Sequence, residues 1–520
     1  MFFLKDFEFD PKTKVFIVPD NKEINYRDTS EEYLLEVLKN STDVSSNSRE
    51  LMKYIKDWPT RYHLSSKRAN LLRALNFLKP YKYKKILELG SGCGAITRWL
   101  GENFEEIHAV EGNLFRTVIA RERCRDLKNV SFFCANIQDL CFEKEYDLVT
   151  LIGVLEYAPV FLNVPNKASE ACLSMLKKAY SAVKPDGLLL LAIENKLGIK
   201  YWSGCKEDHS GRLFEGIHGY PSKNVPITFS KKELTNLLKM AGFNFIEYYY
   251  LFPDYKLCNV IIKDEKDFKE YYIHNWLNFP FEDYTGRNYL FHEGLVLRNL
   301  IQAGLFSEFA NSFLVIASPQ KRRPYKKPNW IVKKIANHSF WSQKFHHIIS
   351  LCRRKEGLKI LRHSLSGTNH LKLGVLEFNL EKESDFIPGD LLTFSAWEAV
   401  FSNNFISNFL TIFHKFKDYL ISHFYTGKND RENYPLLRSE AIDCTLWNLI
   451  ENEKGIFFID KKWKWHEPVN IDFVLARTLF HFLNKISPFL GIQNREKIEK
   501  SIMFFMKSIY DNYNSKRNIE

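Results

Sequence analysis

Residues 84–250 alternate between short apolar runs and segments whose apolar positions have helical spacing. The five runs that predict strands are 86–89, 107–110, 130–133, 146–152 and 188–193. Strands that alternate with helices in this way form a parallel sheet with helices on both faces. The pattern therefore predicts an α/β domain.

Two further runs extend this sheet. A helix from Lys231 to Met240, which Gly242 ends as a C-cap, leads into a sixth strand at 245–249. The apolar run 313–317 predicts a seventh strand that pairs beside the sixth, and the residues between them form an insertion. The sequence thus predicts a seven-stranded domain over residues 1–318.

A basic segment with two prolines, 321–328, follows this domain and leaves residues 329–520 for a second one. The whole chain has 74 Lys and Arg against 62 Asp and Glu, a net charge of +12. Such a segment is typical of a solvated linker, and its charge also suits phosphate, nucleic acid or an anionic membrane surface. The apolar run 187–193 is too short to span a bilayer, so we expect peripheral membrane contact at most.

Cysteine usage and the N-terminal sequence predict a cytoplasmic protein. The nine cysteines are odd in number and none forms a C-x-x-C pair, which favours reduced thiols. Lys5, Asp6 and Glu8 interrupt the start of the chain, so the sequence predicts no signal peptide.

The first predicted strand ends in a glycine-rich loop, Gly90-Ser91-Gly92-Cys93-Gly94. The first strand of a doubly wound sheet ends at the ligand crevice, and glycines let the backbone approach a ligand there. Free N–H groups at the start of the next helix can bind a carboxylate or a phosphate. Glu111 ends the second strand, where it can accept hydrogen bonds from ribose hydroxyls. The sequence therefore predicts a nucleoside site.

Residues 84–250 resemble the class I S-adenosylmethionine (SAM)-dependent methyltransferases. The strings similar to their four motifs are ILELGSGCGAITRWL, HAVEGN, CANIQDL and LIGVLEYA. The resemblance implies a Rossmann-like seven-stranded methyltransferase sheet with SAM as cofactor. The residues it places around SAM are Glu88, Gly90, Gly92 and Gly94 at the methionine and ribose end, Glu111 at the ribose, and Asn136 and Ile137 at the adenine. Asn136 stands where the family often has an acidic residue, and the G-x-G-x-G spacing favours SAM over a dinucleotide.

Two other stretches resemble bacterial methyltransferases of surface-polysaccharide gene sets. In the first, Trp58 to Ser65 with Arg68, the resemblance places Tyr62 and Arg68 over the SAM pocket. It implies a saccharide, a glycan end or a related small molecule as methyl acceptor in envelope polysaccharide biosynthesis.

The second stretch, 192–211, leaves the fifth strand where the crevice opens and contains Asp208 and His209. Imidazole titrates near neutral pH and a carboxylate can orient it, so this pair is a candidate general base. The alternative is that both side chains cap a surface turn.

In the second domain, Asp443, Asn448 and Asp460 have the spacing of a kinase catalytic loop and metal strand. The first Asp would orient a hydroxyl as base, and Asn448 and Asp460 would hold magnesium. The stretch resembles aminoglycoside-phosphotransferase-like kinases, which implies ATP and magnesium as cofactors. The ATP-binding lysine would fall near Lys359 or Arg362.

This α+β domain departs from the kinase pattern in several places. Ile442 stands where the pattern has Arg, Lys461 and Lys462 follow the second Asp, and residues 330–356 contain no glycine-rich loop. A degenerate kinase fold and a helical partner-binding module both stay open.

Two alternatives to methylation of a saccharide remain. RNA methylation fits the positive charge, but the sequence contains no recognised RNA-binding module and does not favour a nucleic-acid partner. A non-catalytic SAM-binding scaffold, with the second domain binding a partner, would show an occluded acceptor crevice.

Overall fold

The computed structural model describes residues 2–18, 24, 26–81, 83–161, 168–283, 286–337 and 342–492. The chain divides into two compact units, each discontinuous in sequence. The first unit comprises Met1–Trp202, Lys206–Lys266 and Ser307–Arg353, and the second comprises Ser203–Cys205, Asp267–Phe306 and the chain from Arg354. The structure thus groups 267–306 with the second unit and 330–353 with the first, which differs from the predicted division into 1–318 and 329–520.

The first unit is built on one large sheet. Its strands are β1 Glu8–Asp10, β2 Val15–Ile17, β3 Lys85–Leu89, β4 Glu106–Glu111, β5 Val130–Cys134, β6 Tyr146–Ile152, β7 Val183–Glu194, β8 Phe245–Phe252, β9 Val260–Lys263, β10 Ser312–Ser318, β11 Trp330–Ala336 and β12 His347–Arg354. Their order within this unit is β1-β2-β5-β4-β3-β6-β7-β10-β8-β9-β11-β12.

The central strands have the predicted arrangement. Strands β5, β4, β3, β6 and β7 pair in parallel, and β10 lies antiparallel between β7 and β8. The seven-stranded Rossmann-like sheet is therefore confirmed, including the seventh strand beside the sixth. Strands β9 and β11 continue it, because β9 pairs with both β8 and β11. The sequence did not predict these additional strands.

Helices of the first unit flank the sheet. They are Glu31–Asn40, Arg49–Met52, Trp58–Leu64, Asn70–Arg73, Ala95–Asn103, Leu114–Arg123, Ala158–Phe161, Ala168–Ala182, Ile199–Trp202 and Lys231–Ala241, and a short helix Phe306–Phe309 precedes β10. The helix Lys231–Ala241 begins with a capping box between Ser230 and Glu233 and ends at Gly242, whose φ is 112°. The predicted glycine C-cap is confirmed.

The second unit mixes short strands and helices, which confirms the predicted α+β class. Its strands are β13 Gly357–Ser364, β14 His370–Leu373, β15 Leu376–Asn379, β16 Glu383–Asp385, β17 Asp390–Leu391, β18 Tyr425–Asn429, β19 Pro435–Leu437, β20 Leu449–Asn452, β21 Gly455–Phe458, β22 Trp463–Trp465 and β23 Val469–Asn470. Its α-helices are Glu293–Gln302, Leu392–Val400, Phe405–Phe424 and Ile471–Ile486. Among all described residues, no helix combines the length and the apolarity that crossing a membrane requires.

Candidate active site

The glycine-rich loop after β3 adopts a backbone conformation that favours glycine. Gly90, Gly92 and Gly94 have φ angles of 82°, 55° and 82°. A Cβ atom on Gly90 would overlap the side chain of Val154, and one on Gly94 would lie 2.7 Å from the Ala120 Cα. The loop therefore needs its glycines both for its turn and for its close packing.

A cavity of about 250 Å³ lies beside this loop in the first unit. The predicted site residues that line it are Glu88, Gly90, Gly92, Glu111, Asn136, Ile137, Tyr62, Arg68, Asp208 and His209. Gly94 is not among the lining residues, because it is the N-cap of the helix Ala95–Asn103. The fold thus brings together residues that are up to 147 positions apart in the sequence.

The Glu111 side chain joins the glycine-rich loop to the end of β4 by hydrogen bonds. Its Oε2 accepts a hydrogen bond from the Gly92 N–H at 2.8 Å, and its Oε1 accepts one from the Asn113 N–H at 3.3 Å. Asn136 likewise caps the turn after β5, since its side chain accepts from the Gln138 N–H at 3.0 Å. Both side chains hold the rim of the cavity in place.

Glu88 is buried at the base of the cavity. Its Oε2 has no hydrogen-bond partner among the described residues. Burial raises the pKa of Glu88 to about 8, against the lowering effect of the charge of Arg68. A buried carboxyl oxygen without a partner costs free energy, so the site is suited to a ligand that donates a hydrogen bond or carries positive charge here.

Tyr62 and Arg68 line the cavity and contact each other. The guanidinium of Arg68 donates to the Tyr62 hydroxyl at 2.9 Å and lies 4.6 Å from the centre of its ring. It also donates to the Lys256 carbonyl at 3.4 Å. Tyr62 belongs to the helix Trp58–Leu64, which Asp57 caps through the Thr60 N–H. The cap and the stacked pair fix this wall.

Asp208 and His209 also line the cavity, but they have different partners. Asp208 accepts hydrogen bonds from Lys200 Nζ at 2.7 Å and Lys256 Nζ at 2.8 Å. His209 instead lies with Nδ1 3.1 Å from the Tyr157 hydroxyl and Nε2 3.6 Å from Glu194 Oε2. The structure therefore pairs His209 with Glu194, where the sequence predicted Asp208 as the orienting carboxylate.

The charges around His209 affect its predicted role as a base. Burial acts to lower the pKa of His209, but the Glu194 carboxylate raises it to about 9. Burial acts to raise the pKa of Glu194, and Lys256 and His209 together lower it to about 2. The imidazole is thus charged at neutral pH in this state. A charged imidazole does not accept a proton, so the role of general base does not fit it.

The sequence did not single out three further residues of this region. Glu156 follows β6, Glu194 ends β7, and Lys256 lies in the turn between β8 and β9. Burial raises the pKa of Glu156 to about 7. The position of both carboxylates at the carboxyl ends of parallel strands was the available signal, because that edge of the sheet faces the crevice. No comparable position in the sequence marked Lys256 as a site residue.

In the second unit, the predicted kinase residues do lie close together. Asn448 Nδ2 donates to the Asp443 carbonyl at 2.8 Å, and the Asp443 carboxylate accepts from the Lys462 N–H at 2.8 Å. Asp460 lies 2.7 Å from Lys462 Nζ and 3.5 Å from Arg362 Nε. Burial raises the pKa of Asp443. The second Asp of the pattern is thus held by two cationic side chains.

Comparison with known proteins agrees with this geometry for the first unit. Residues 60–248 match a family model described as a methyltransferase domain. The first unit thus contains a region that is similar to methyltransferase domains. The chain is 36% identical over 66 residues to malonyl-[acyl-carrier protein] O-methyltransferase from Bacillus anthracis, covering 12% of this chain and 24% of that protein. The enzyme of the same description from Priestia megaterium is 24% identical over 158 residues, covering 30% and 52%. The chain thus spans about a quarter to a half of these relatives.

Solved methyltransferase structures resemble the chain more remotely. Phosphoethanolamine N-methyltransferase 2 from Haemonchus contortus, solved with phosphomonomethylethanolamine and S-adenosylhomocysteine, has 18% identity and a TM-score of 0.29. The match covers 48% of this chain and 53% of that one. A possible histamine N-methyltransferase from Thermotoga maritima has 15% identity and a TM-score of 0.27, covering 49% and 94%.

Proposed function

We propose that the methyltransferase domain transfers a methyl group from SAM to a saccharide, a glycan end or a related small acceptor in bacterial envelope polysaccharide biosynthesis. The observation that carries the proposal is the cavity at the carboxyl edge of the sheet. The glycine-rich loop and Glu111 form one set of its lining residues, and Asp208, His209 and Lys256 form another. The first set forms a nucleoside wall and the second a polar wall, and both belong to one cavity.

The residues at the nucleoside wall fit SAM. A Cβ atom would fill the cradle at Gly90, and the Glu88 Oε2 lacks a partner among the described residues. Glu88, Gly90 and Gly92 would hold the methionine and ribose end, Glu111 the ribose, and Asn136 and Ile137 the adenine. SAM supplies a methyl group bonded to a positively charged sulfur. The role of this chain is then to position the donor and the acceptor for in-line displacement.

The polar wall favours a hydroxyl-bearing small molecule over RNA. Three carboxylates, Glu156, Glu194 and Asp208, lie in this region and would repel a phosphodiester backbone. The basic side chain of Arg323 pairs with Glu247, so part of the positive charge outside the cavity is already neutralised. The presence of the cavity also favours catalysis over a scaffold, for which we would expect an occluded crevice.

Calorimetric titration of SAM into the full chain tests this proposal. We expect binding to the wild type and its loss in Gly92→Arg, which fills the loop side of the cavity, and in Glu111→Ala, which releases the loop. Glu105→Ala is the control, since it removes an exposed carboxylate just before β4, the strand that Glu111 ends. Absence of binding to the wild type would overturn the proposal. If SAM binds, formation of S-adenosylhomocysteine with nucleotide sugars or glycans then identifies the acceptor.

We also propose that the second unit is kinase-like in fold, on the basis of the close approach of Asp443, Asn448 and Asp460. ATP and magnesium do not fit this cluster well. Lys462 and Arg362 already neutralise Asp460, where a magnesium ion would have to bind. We therefore assign no phosphoryl-transfer step to it. Titration with magnesium and ATP should show no binding, and binding that Asp460→Asn abolishes would contradict this.

The basic segment 321–328 supports a proposal of peripheral contact with the inner face of the membrane, with the protein in the cytoplasm. Lys321, Arg322, Lys326 and Lys327 are exposed, whereas Tyr325 is buried. Each basic side chain near an anionic surface contributes about 1 kcal/mol. Replacement of these four residues by alanine should abolish sedimentation with anionic vesicles. Wild type that does not sediment with them would contradict the proposal.

A further inference from the structure

Three buried side chains beside the cavity direct unpartnered atoms toward one another. Glu156 and Glu194 are fully buried, and the His209 side chain is 5% exposed. Glu156 Oε2, Glu194 Oε2 and His209 Nε2 have no hydrogen-bond partner among the described residues. Each of the three residues offers a ligand atom within 4.8 Å of the other two. Buried polar atoms of this kind indicate a group that satisfies them together.

A second layer of side chains holds these three residues by their other atoms. The Tyr255 hydroxyl donates to Glu156 Oε1 at 3.4 Å, and Lys256 Nζ donates to Glu194 Oε1. The Tyr157 hydroxyl lies 3.1 Å from His209 Nδ1. Metal-binding residues in proteins are typically fixed in this way, with an outer partner that orients each ligand. An Nδ1 proton shared with Tyr157 would leave Nε2 free to bind an ion.

The charges of this region leave a deficit of positive charge once His209 and Glu156 carry no proton, which is the state that binds an ion. Glu156, Glu194, Asp208 and Asp254 are carboxylates, and the ammonium groups paired with them belong to Lys200 and Lys256. With ionised carboxylates and a neutral imidazole, this network carries two negative charges in excess. One divalent cation would balance this excess.

We propose that Glu156, Glu194 and His209 form a binding site for one divalent cation of the Zn²⁺ or Mn²⁺ type. Two carboxylate oxygens and one imidazole nitrogen suit these ions, whereas Mg²⁺ and Ca²⁺ prefer oxygen ligands alone. His209 lines the cavity, so the ion would lie at its polar wall. There it would bind an oxygen atom of the acceptor and lower the pKa of that hydroxyl, whose proton would pass to solvent as the methyl group moves from the sulfur of SAM to the oxygen. This role in catalysis rests on the proposed function, but the binding of the ion does not.

Calorimetric titration of Zn²⁺ and Mn²⁺ into the untagged, chelator-treated full chain tests the site without SAM. We expect one equivalent to bind, and His209→Asn and Glu156→Gln to weaken binding at least tenfold. Tyr157→Phe should weaken it ~10-fold through the lost outer partner. His218→Asn is the matched control, since His218 is an exposed histidine of the same segment. Absence of binding, or binding unchanged in His209→Asn and Glu156→Gln, would overturn the proposal.

The visible absorption spectrum of bound Co²⁺ provides a second measurement that does not depend on acceptor identity. The wild type should show the spectrum of an ion with nitrogen and oxygen ligands, and His209→Asn should lose its nitrogen contribution while it keeps the circular dichroism of the wild type. A chain that binds SAM but no ion would overturn this inference alone. A chain that binds the ion but not SAM would overturn the proposed function alone.

Discussion

Replacement of Gly94 by alanine tests whether the loop after β3 needs glycine for its own structure. Gly94 has a φ of 82°, and a Cβ atom there would lie 2.7 Å from the Ala120 Cα and 3.0 Å from the Ala120 carbonyl oxygen. These are backbone atoms of the helix Leu114–Arg123, which cannot move aside as a flexible side chain can. The substitution therefore combines backbone strain with overpacking.

The backbone strain and the overpacking each have an expected cost in free energy of unfolding. A left-handed residue with a Cβ atom costs about 1–2 kcal/mol. Overpacking of a close contact costs about 1–3 kcal/mol more. Gly94→Ala should thus destabilise the first unit by roughly 2–5 kcal/mol. Gly219→Ala isolates the strain, because Gly219 has a φ of 80° and no described atom lies within 4 Å of its Cβ position. It should cost only about 1–2 kcal/mol.

Native-state hydrogen exchange of peptides from β3 gives these free energies in the full chain, because it reports the stability of the first unit by itself. The difference between the free energies of unfolding of the two variants is the cost of the close contact with Ala120. If Gly94→Ala lowers the free energy of unfolding no more than Gly219→Ala does, the predicted packing cost is wrong, because the backbone near Ala120 then moves to accept the added Cβ atom.

Two other predictions concern buried charge. Burial lowers the pKa of His292 to about 3, so below about pH 6.5 the unfolded chain binds a proton that the folded chain does not. As the pH falls below about 6.5, the free energy of unfolding of the wild type should decrease by about 1.4 kcal/mol per pH unit more than that of His292→Asn. Urea titrations at several pH values measure this, and an equal pH dependence in the two proteins would contradict the prediction. Glu31→Gln removes the carboxylate charge that lies 3.0 Å from the buried Arg116, which keeps Asp28 at 3.5 Å, and should cost about 1–3 kcal/mol by hydrogen exchange. The exposed Glu32→Gln should cost nothing, and equal losses would contradict the burial argument.

The sequence predicted the central sheet because each of its strands is a short, mostly apolar run next to a helical segment. Strands β9, β11 and β12 lacked that signal. Strand β11 includes Lys333 and Lys334 and pairs with β9, about seventy residues earlier in the chain. Its pairing partner is set by tertiary contacts that no local pattern contains. The basic, proline-containing segment before it was interpreted as a domain boundary, whereas the sheet of the first unit continues beyond it.

The nucleoside wall of the site was predictable because its residues stand at the ends of strands that the local sequence indicates. The glycines of the loop and Glu111 each follow directly from a recognisable strand end. The polar wall and the carboxylates beside it combine Lys256, Glu156 and Glu194, which come from three separate parts of the chain. The two carboxylates could have been found from their positions at strand ends, whereas no sequence pattern marked Lys256, and only the structure shows that the three lie together.

Asp208 and His209 show how adjacency in sequence can mislead about chemistry. Neighbouring residues in an irregular segment direct their side chains differently, and each finds its own partner. Asp208 is neutralised by Lys200 and Lys256, and Glu194 then remains as the carboxylate beside His209. A general base must be judged by geometry first and by pKa second. Here the geometry gives His209 an acidic partner that keeps it protonated, unless a cation takes the place of that proton. Proton removal from an acceptor therefore depends on what balances the charge of Glu156 and Glu194.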